Sequence, residues 1–184
     1  MRNLAADTKV AQKNISKIQT LIPRKLLVKE DKIAKKQAKS FDSDINKLQQ
    51  LFKLTDELTS KLSPITSCKA GCGNCCKINV SVTRLEAKLI SEYTGKELNK
   101  SVLLVKTNYH GSSCPFLINN KCSVYSVRPF VCRRQLSVMP SEYWCHPDLN
   151  LDIEVPMIEF SELSNAFYAI AARSEVKDIR AWFG

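Results

Sequence analysis

The sequence predicts a mainly α fold with little β, in which helices frame a loop-rich cysteine-cluster core. Three observations predict it. Apolar residues recur at helical spacing over residues 3–22, 43–62 and 84–93, and again beyond Ser161. Eight cysteines fall mostly in two short blocks that read as loops. No alternating strand–helix rhythm follows them.

The elements follow in order. In residues 3–22, Val10, Ile15, Ile18 and Ile22 form a loose apolar stripe, and Pro23 stops the run. Residues 24–40 are Lys-rich around Leu26, Leu27 and Val28 and read as a second helix or a charged linker. In residues 43–62, Ser43 or Asp44 caps a helix lined by Ile45, Leu48, Leu51, Phe52, Leu58 and Leu62, which Pro64 closes. Thr83-Arg84-Leu85-Glu86 is a capping box, with Glu86 in the capping role. It opens a helix to about Tyr93, and Gly95 marks its stop. Residues 102–106 read as a strand or the start of a short helix. Ser161 is expected to cap a helix carrying Leu163, Phe167, Ile170 and Ala171, and Ile179, Trp182 and Phe183 to pack back on the core. The expected organisation is a basic helical N-terminal arm over residues 1–62 and a cysteine-cluster domain over 63–184.

At 184 residues and 44% hydrophobic, the chain can bury a core without disulfides. Its net charge of +10 is uneven: residues 1–40 hold 11 Lys and Arg against 3 acids, the remainder 17 against 15. Lys9, Lys13 and Lys17 mark one helical face, so the arm reads first as a solvated surface. Its first residues show no secretory pattern, and no apolar run approaches the ~18 residues of a membrane span. The expected setting is therefore cytoplasmic, with no membrane partner. In a reducing compartment clustered cysteines read as metal or redox sites.

The first block is Cys68-Lys-Ala-Gly-Cys72-Gly-Asn-Cys75-Cys76. Gly71 and Gly73 permit the tight turns that aim neighbouring thiols at one centre. Cys72-x-x-Cys75 has the spacing of a metal knuckle, and a thiolate set suits zinc or an iron–sulfur cluster. Lys69 and Lys77 flank the block and are expected to favour thiolate over thiol. In the second block Asn119-Asn120-Lys121 reads as a turn, so that Cys114 and Cys122 are expected to face each other across a hairpin. Cys132 follows Arg128-Pro129, and Cys145 trails after Tyr143-Trp144. Arg128 and Arg133 are expected to balance surplus thiolate charge, Arg134 less so. His146 is a candidate further ligand, whereas His110 reads as a loop histidine. Adjacent cysteines such as Cys75 and Cys76 point in different directions and suit different metals, or leave one thiol spare. Eight thiols admit two four-ligand sites or one cluster with spares.

The string Cys68-x3-Cys72-x2-Cys75-Cys76, then Cys114-Pro-Phe-Leu, then Cys122-x2-Tyr125-x2-Arg128-Pro129-x2-Cys132-Arg133 resembles the YkgJ-type cysteine-cluster family over residues 66–146. The resemblance implies chelation of zinc or iron by these cysteines, and implies no defined reaction. Flagellin lysine-N-methylases are similar in carrying such a cluster, but are longer.

Other readings stay open. Cys68-x3-Cys72-x2-Cys75 is also the spacing of radical S-adenosylmethionine enzymes, so an iron–sulfur enzyme such as a protein methylase is an alternative. Against the radical enzyme stand the second block and the lack of a glycine-rich cofactor motif. Cys72-x-x-Cys75 is equally a redox spacing, without a clear βαβ unit after it. A zinc-knuckle nucleic-acid binder is disfavoured because residues 1–40 contain no aromatic residue for base stacking. A protein partner at the N-terminal helices is compatible with all of these.

Overall fold

Asn3 starts the first helix by accepting a hydrogen bond from Ala6 N, and α1 runs Leu4–Ile15. The predicted continuous helix over 3–22 breaks here. Lys17 N turns back to Asn14 O and Ser16 Oγ to Lys13 O, before α2 resumes at Ile18–Leu21. The expected stripe is corrected in part: Val10 and Ile15 are exposed, whereas Ile22 is buried and Ile18 packs on the core as expected, and Ala11 is buried beside them. Pro23 precedes α3, Arg24–Ala38, so the Lys-rich segment is a helix and not a linker. Ser43 caps α4, Asp44–Ser60, accepting from Asn46 N.

The structure, a computed structural model, describes residues 2–69, 71–99 and 108–184; the segment 102–106 lies outside them. β1 (Ser81–Thr83) leads into α5 (Arg84–Thr94) through the predicted capping box, and Gly95 ends that helix with φ +71. A hairpin of β2 (Leu117–Ile118) and β3 (Lys121–Cys122) precedes α6 (Phe130–Arg134). Then come α7 (Ser161–Ala171), β4 (Val176–Asp178) and α8 (Ile179–Phe183). β4 pairs antiparallel with β1, Val82 opposite Lys177. The fold is mainly α with little β, as its periodicity predicts. Among the described residues no helix is long and apolar enough to cross a membrane.

Two apolar cores result. The larger joins α1–α4 to α6 and α7, with Leu48, Leu51, Leu58 and Leu62 fully buried against Phe130 and Leu163. Each such leucine contributes roughly 1.5–3 kcal/mol over exposure. Phe130 stacks on Phe167 at 4.6 Å. The smaller core gathers Val82, Ile90, Phe116, Ile179 and Trp182 around β1, α5 and α8. Ser161 does not cap α7, whose N-cap position is Phe160. α3 packs beside that helix, and its Glu30 carboxylate accepts from Glu162 N at 2.9 Å. A neighbouring helix thus supplies the acceptor expected from Ser161.

Candidate metal centre

All eight cysteines are free thiols. The first block turns at Gly71, whose φ of +90 a side chain rarely adopts. Gly73 does not share that role. A Cβ there would stand 3.0 Å from Leu117 Cδ1, so it serves close approach of the block to the hairpin. Cys75 and Cys76 ride one helical turn, Asn74–Lys77. Asn74 Nδ2 donates to Glu142 O at 2.9 Å, fastening the block to the turn Glu142–Cys145. On the other flank Ser67 N donates to Ser137 O, and Cys68 Sγ reaches Gln135 O at 3.5 Å. The outcome is a cavity of about 300 Å³ lined by Cys68, Cys72, Cys75 and Cys145, with Ser137 and Met157 among its walls.

Cys76 sits on the same turn as Cys75, and Cys114, Cys122 and Cys132 cluster with it. Cys76 O accepts from Cys114 N at 2.7 Å. Asn119 and Asn120, with φ of 49 and 56, make the predicted turn of the hairpin. Its register pairs Cys122 with Leu117, so Cys114 and Cys122 are not opposite each other across the strands. Cys114 sits before β2 in a turn closed by Leu117 N, near enough to Cys122 for each charge to oppose the other. Cys132 is carried on α6, whose first N–H groups include Phe130 N, bound to Glu86 Oε1 at 2.8 Å. Cys76, Cys114, Cys122 and Cys132 all pack in the smaller core.

Burial is the main influence on six of the thiols. It pushes Cys68, Cys72, Cys114 and Cys122 up from the ordinary thiol value, Cys132 well above it, and Cys145 up to about 11. Cys75 is raised first by its hydrogen bond with Cys76 and then by burial. The expected effect of Lys69 is present at Cys72 but smaller than the burial. Lys69 Nζ stands 3.5 Å from Glu142 Oε1.

Both predicted arginines stand beside thiols, and both share Asp56 of α4. Arg128 Nη2 meets Asp56 Oδ1 at 2.9 Å, its guanidinium 3.8 Å above the Tyr125 ring. Arg133, 2% exposed, binds Asp56 Oδ2, Ser126 O and Arg128 O. Arg128 favours the charged forms of Cys75 and Cys122, and Cys132 favours charged Arg133. Arg134 faces Glu159 at 3.4 Å. Arg180, which the sequence reading missed, binds Cys76 O, Ser112 O and both Asp178 oxygens, and its charge acts on Cys114. No spacing to a cysteine marks it; the only local signal is Asp178 two residues before. His110 Nε2 lies 2.7 Å from Pro147 O, and His146 Nδ1 lies 3.5 Å from Asp148 Oδ2.

These donors fit zinc or iron in chemical kind, since clustered thiolates are soft ligands. Among the described residues, no three His, Cys, Asp or Glu side chains could hold an ion as they are placed. The fit therefore lies in the donor set and its grouping. Residues 67–148, a little under half of the chain, match the model of the CxxCxxCC family, described as a "putative zinc- or iron-chelating domain". That agrees with the family resemblance carried by the two blocks. No curated protein and no solved structure matches the chain.

Proposed function

We propose, from the CxxCxxCC match of residues 67–148, that this chain is a metal-binding protein that takes up zinc or iron through cysteine thiolates. The ligands in this reading are Cys68, Cys72, Cys75, Cys76, Cys114, Cys122, Cys132 and Cys145. One observation carries it: thiols from three separated stretches gather on the two sides of the Cys75–Cys76 pair. Free, partly buried thiols grouped in this way suit a metal in a reducing cytoplasm better than a disulfide framework.

Four thiolates around a divalent ion carry a net −2, which favours cationic groups nearby. Arg128 and Arg133 supply them, anchored through Asp56. Residues 1–62 serve as the basic helical part, with room for a protein partner on the lysine-rich exterior, and 63–184 as the chelating part.

The test is anaerobic purification, then metal and acid-labile sulfide analysis with a visible spectrum. Stoichiometric zinc without sulfide identifies a zinc protein. Brown protein with sulfide identifies an iron–sulfur protein and reopens the enzymatic alternative. Protein that carries no metal and takes up neither zinc nor iron would refute the reading.

A further inference from the structure

We propose that α3 and the loop after it form a docking face for an anionic phospholipid surface, held by lysines on the helix and by Phe41 inserted among the headgroups. The proposal is independent of the metal-binding reading and stands or falls separately from it.

The helix pattern comes first. α3 buries Leu26, Ile33 and Gln37, and it packs on α4 and α7. Arg24, Val28, Lys32, Lys35 and Lys39 recur at i, i+4, i+8, i+11 and i+15, and all five are exposed. That spacing puts them on the opposite face of the helix, over a length of about 22 Å. Lys25 and Lys36, also exposed, stand at its margins. Among the described residues, Lys29 pairs with Glu57 at 3.4 Å, whereas Arg24, Lys32, Lys35 and Lys39 take part in no ion pair. Helix faces that serve only solvation interleave the two signs of charge. Here Asp31 is the exposed acid of the helix, and Glu30 is turned inward to Glu162 N. The face is thus a row of uncompensated cations.

The loop comes second. Phe41 follows Lys39 by two residues and is the most exposed large apolar side chain among the described residues. Val28, 43% exposed, adds an aliphatic contact within the row of cations. Asp42, next to Phe41, is engaged by its own neighbours: its carboxylate accepts from Gln50 Nε2 at 3.0 Å. An aromatic ring in water beside a cationic row matches an interface that takes both. The ring leaves water among the headgroups, and the lysine stems reach past it to the phosphates.

The side-chain types favour lipid over nucleic acid. Of the five cations on or beside the outward row up to Lys39, Arg24 alone is an arginine; Lys25, Lys32, Lys35 and Lys39 are lysines. Arginine supplies the planar fork that reads a phosphate or a base edge, whereas lysine is a point charge suited to a diffuse anionic surface. A strand-binding groove also stacks successive bases on several aromatics, and this face offers Phe41 alone with an aliphatic Val28. Among the described residues no helix is long and apolar enough to cross a membrane, and lying on one requires none.

The whole reduced chain is sedimented with vesicles of phosphatidylcholine alone, and with vesicles in which about a third of the lipid is phosphatidylserine. The expected result is binding to the second kind only, falling steeply as salt rises from about 0.05 to 0.5 M. Joint replacement Lys32→Gln, Lys35→Gln and Lys39→Gln should weaken partitioning roughly a hundredfold, at about fivefold per lysine. Lys9→Gln, Lys13→Gln and Lys17→Gln together remove the same charge from α1 and should cost less than about tenfold. Phe41→Ser should lose about tenfold and keep the salt dependence. All these positions are exposed and glutamine is a good helix former, so the variants are expected to fold, which far-UV circular dichroism checks. Equal binding to both kinds of vesicle, or none to either, would overturn the proposal. So would equal losses from the two triple variants, or a Phe41→Ser variant that binds as the parent does. A single-stranded oligonucleotide bound more tightly than the anionic vesicles through the same three lysines would make this a nucleic-acid face instead.

Discussion

Glu86 Oε1 accepts a 2.8 Å hydrogen bond from Phe130 N, so one carboxylate joins the starts of two helices. Its other oxygen accepts from Thr83 N and Thr83 Oγ1 and completes the capping box of α5. Through Phe130, 44 residues further along the chain, the same group fixes α6 and hence Cys132.

Removing that carboxylate should loosen both helices. Glu86 is 1% exposed, and Glu86→Ala leaves three donors without their acceptor. The expected cost is roughly 2–4 kcal/mol, with Glu86→Gln losing less. Urea unfolding of the reduced chain measures it. A change within error for Glu86→Ala would refute the bridging role.

Asp56 ties the cysteine region to α4 by pairing with Arg128 and Arg133. Asp56→Asn keeps the shape and removes the charge. Because Asp56 is partly exposed, the expected loss is only roughly 1–2 kcal/mol. Arg133→Met should cost more, since it leaves Ser126 O and Arg128 O short of a buried donor. Thermal unfolding of the two variants side by side gives the order.

Arg180 fastens the C-terminal helix to the first cysteine block through Cys76 O and to the loop before the second through Ser112 O, and pairs with Asp178. Arg180→Met strands these acceptors and is expected to cost roughly 2–5 kcal/mol. Arg180→Lys recovers only part, because an ammonium lacks the fork that reaches them together. Zinc retention should fall in the same order, read by metal analysis after desalting.

Burial raises Cys68, Cys72, Cys114, Cys122, Cys132 and Cys145, which sets two pH dependences. Metal uptake must displace their protons, so apparent affinity should rise with pH, with about four protons released per four-thiolate site. Calorimetry in buffers of different ionisation heat counts them. In the metal-free chain a raised thiol favours the folded state fully below its ordinary value of 9.0. For Cys145 that contribution is lost as pH rises from 9.0 through about 11. The urea midpoint of the reduced, metal-free chain should therefore fall across that window, and less in Cys145→Ser.

The helices were legible because their signals are local. Ser43, the Thr83–Glu86 box and Gly95 act within one turn of their own helix, and each serves as read. The α7 start was not, because its acceptor, Glu30, comes from α3 across a packed interface. The same distinction holds at the thiols. The spacing of Cys68 to Cys76 exposes a turn of clustered cysteines, and the asparagine pair exposes the hairpin turn. Spacing does not show that Cys145 returns to the first block, that Cys122 pairs with Leu117, or that Arg180 reaches Cys76. Those depend on long-range contacts that leave no period in the chain.

Thiol alkylation tests the central claim most directly. The whole reduced chain is treated with iodoacetamide, with and without stoichiometric zinc, and each cysteine is followed by peptide mass spectrometry. Metal binding through both groups predicts that zinc protects all eight cysteines, Cys145 and Cys76 included. Alkylation at the same rate with and without zinc, or protection confined to one block, would contradict the account.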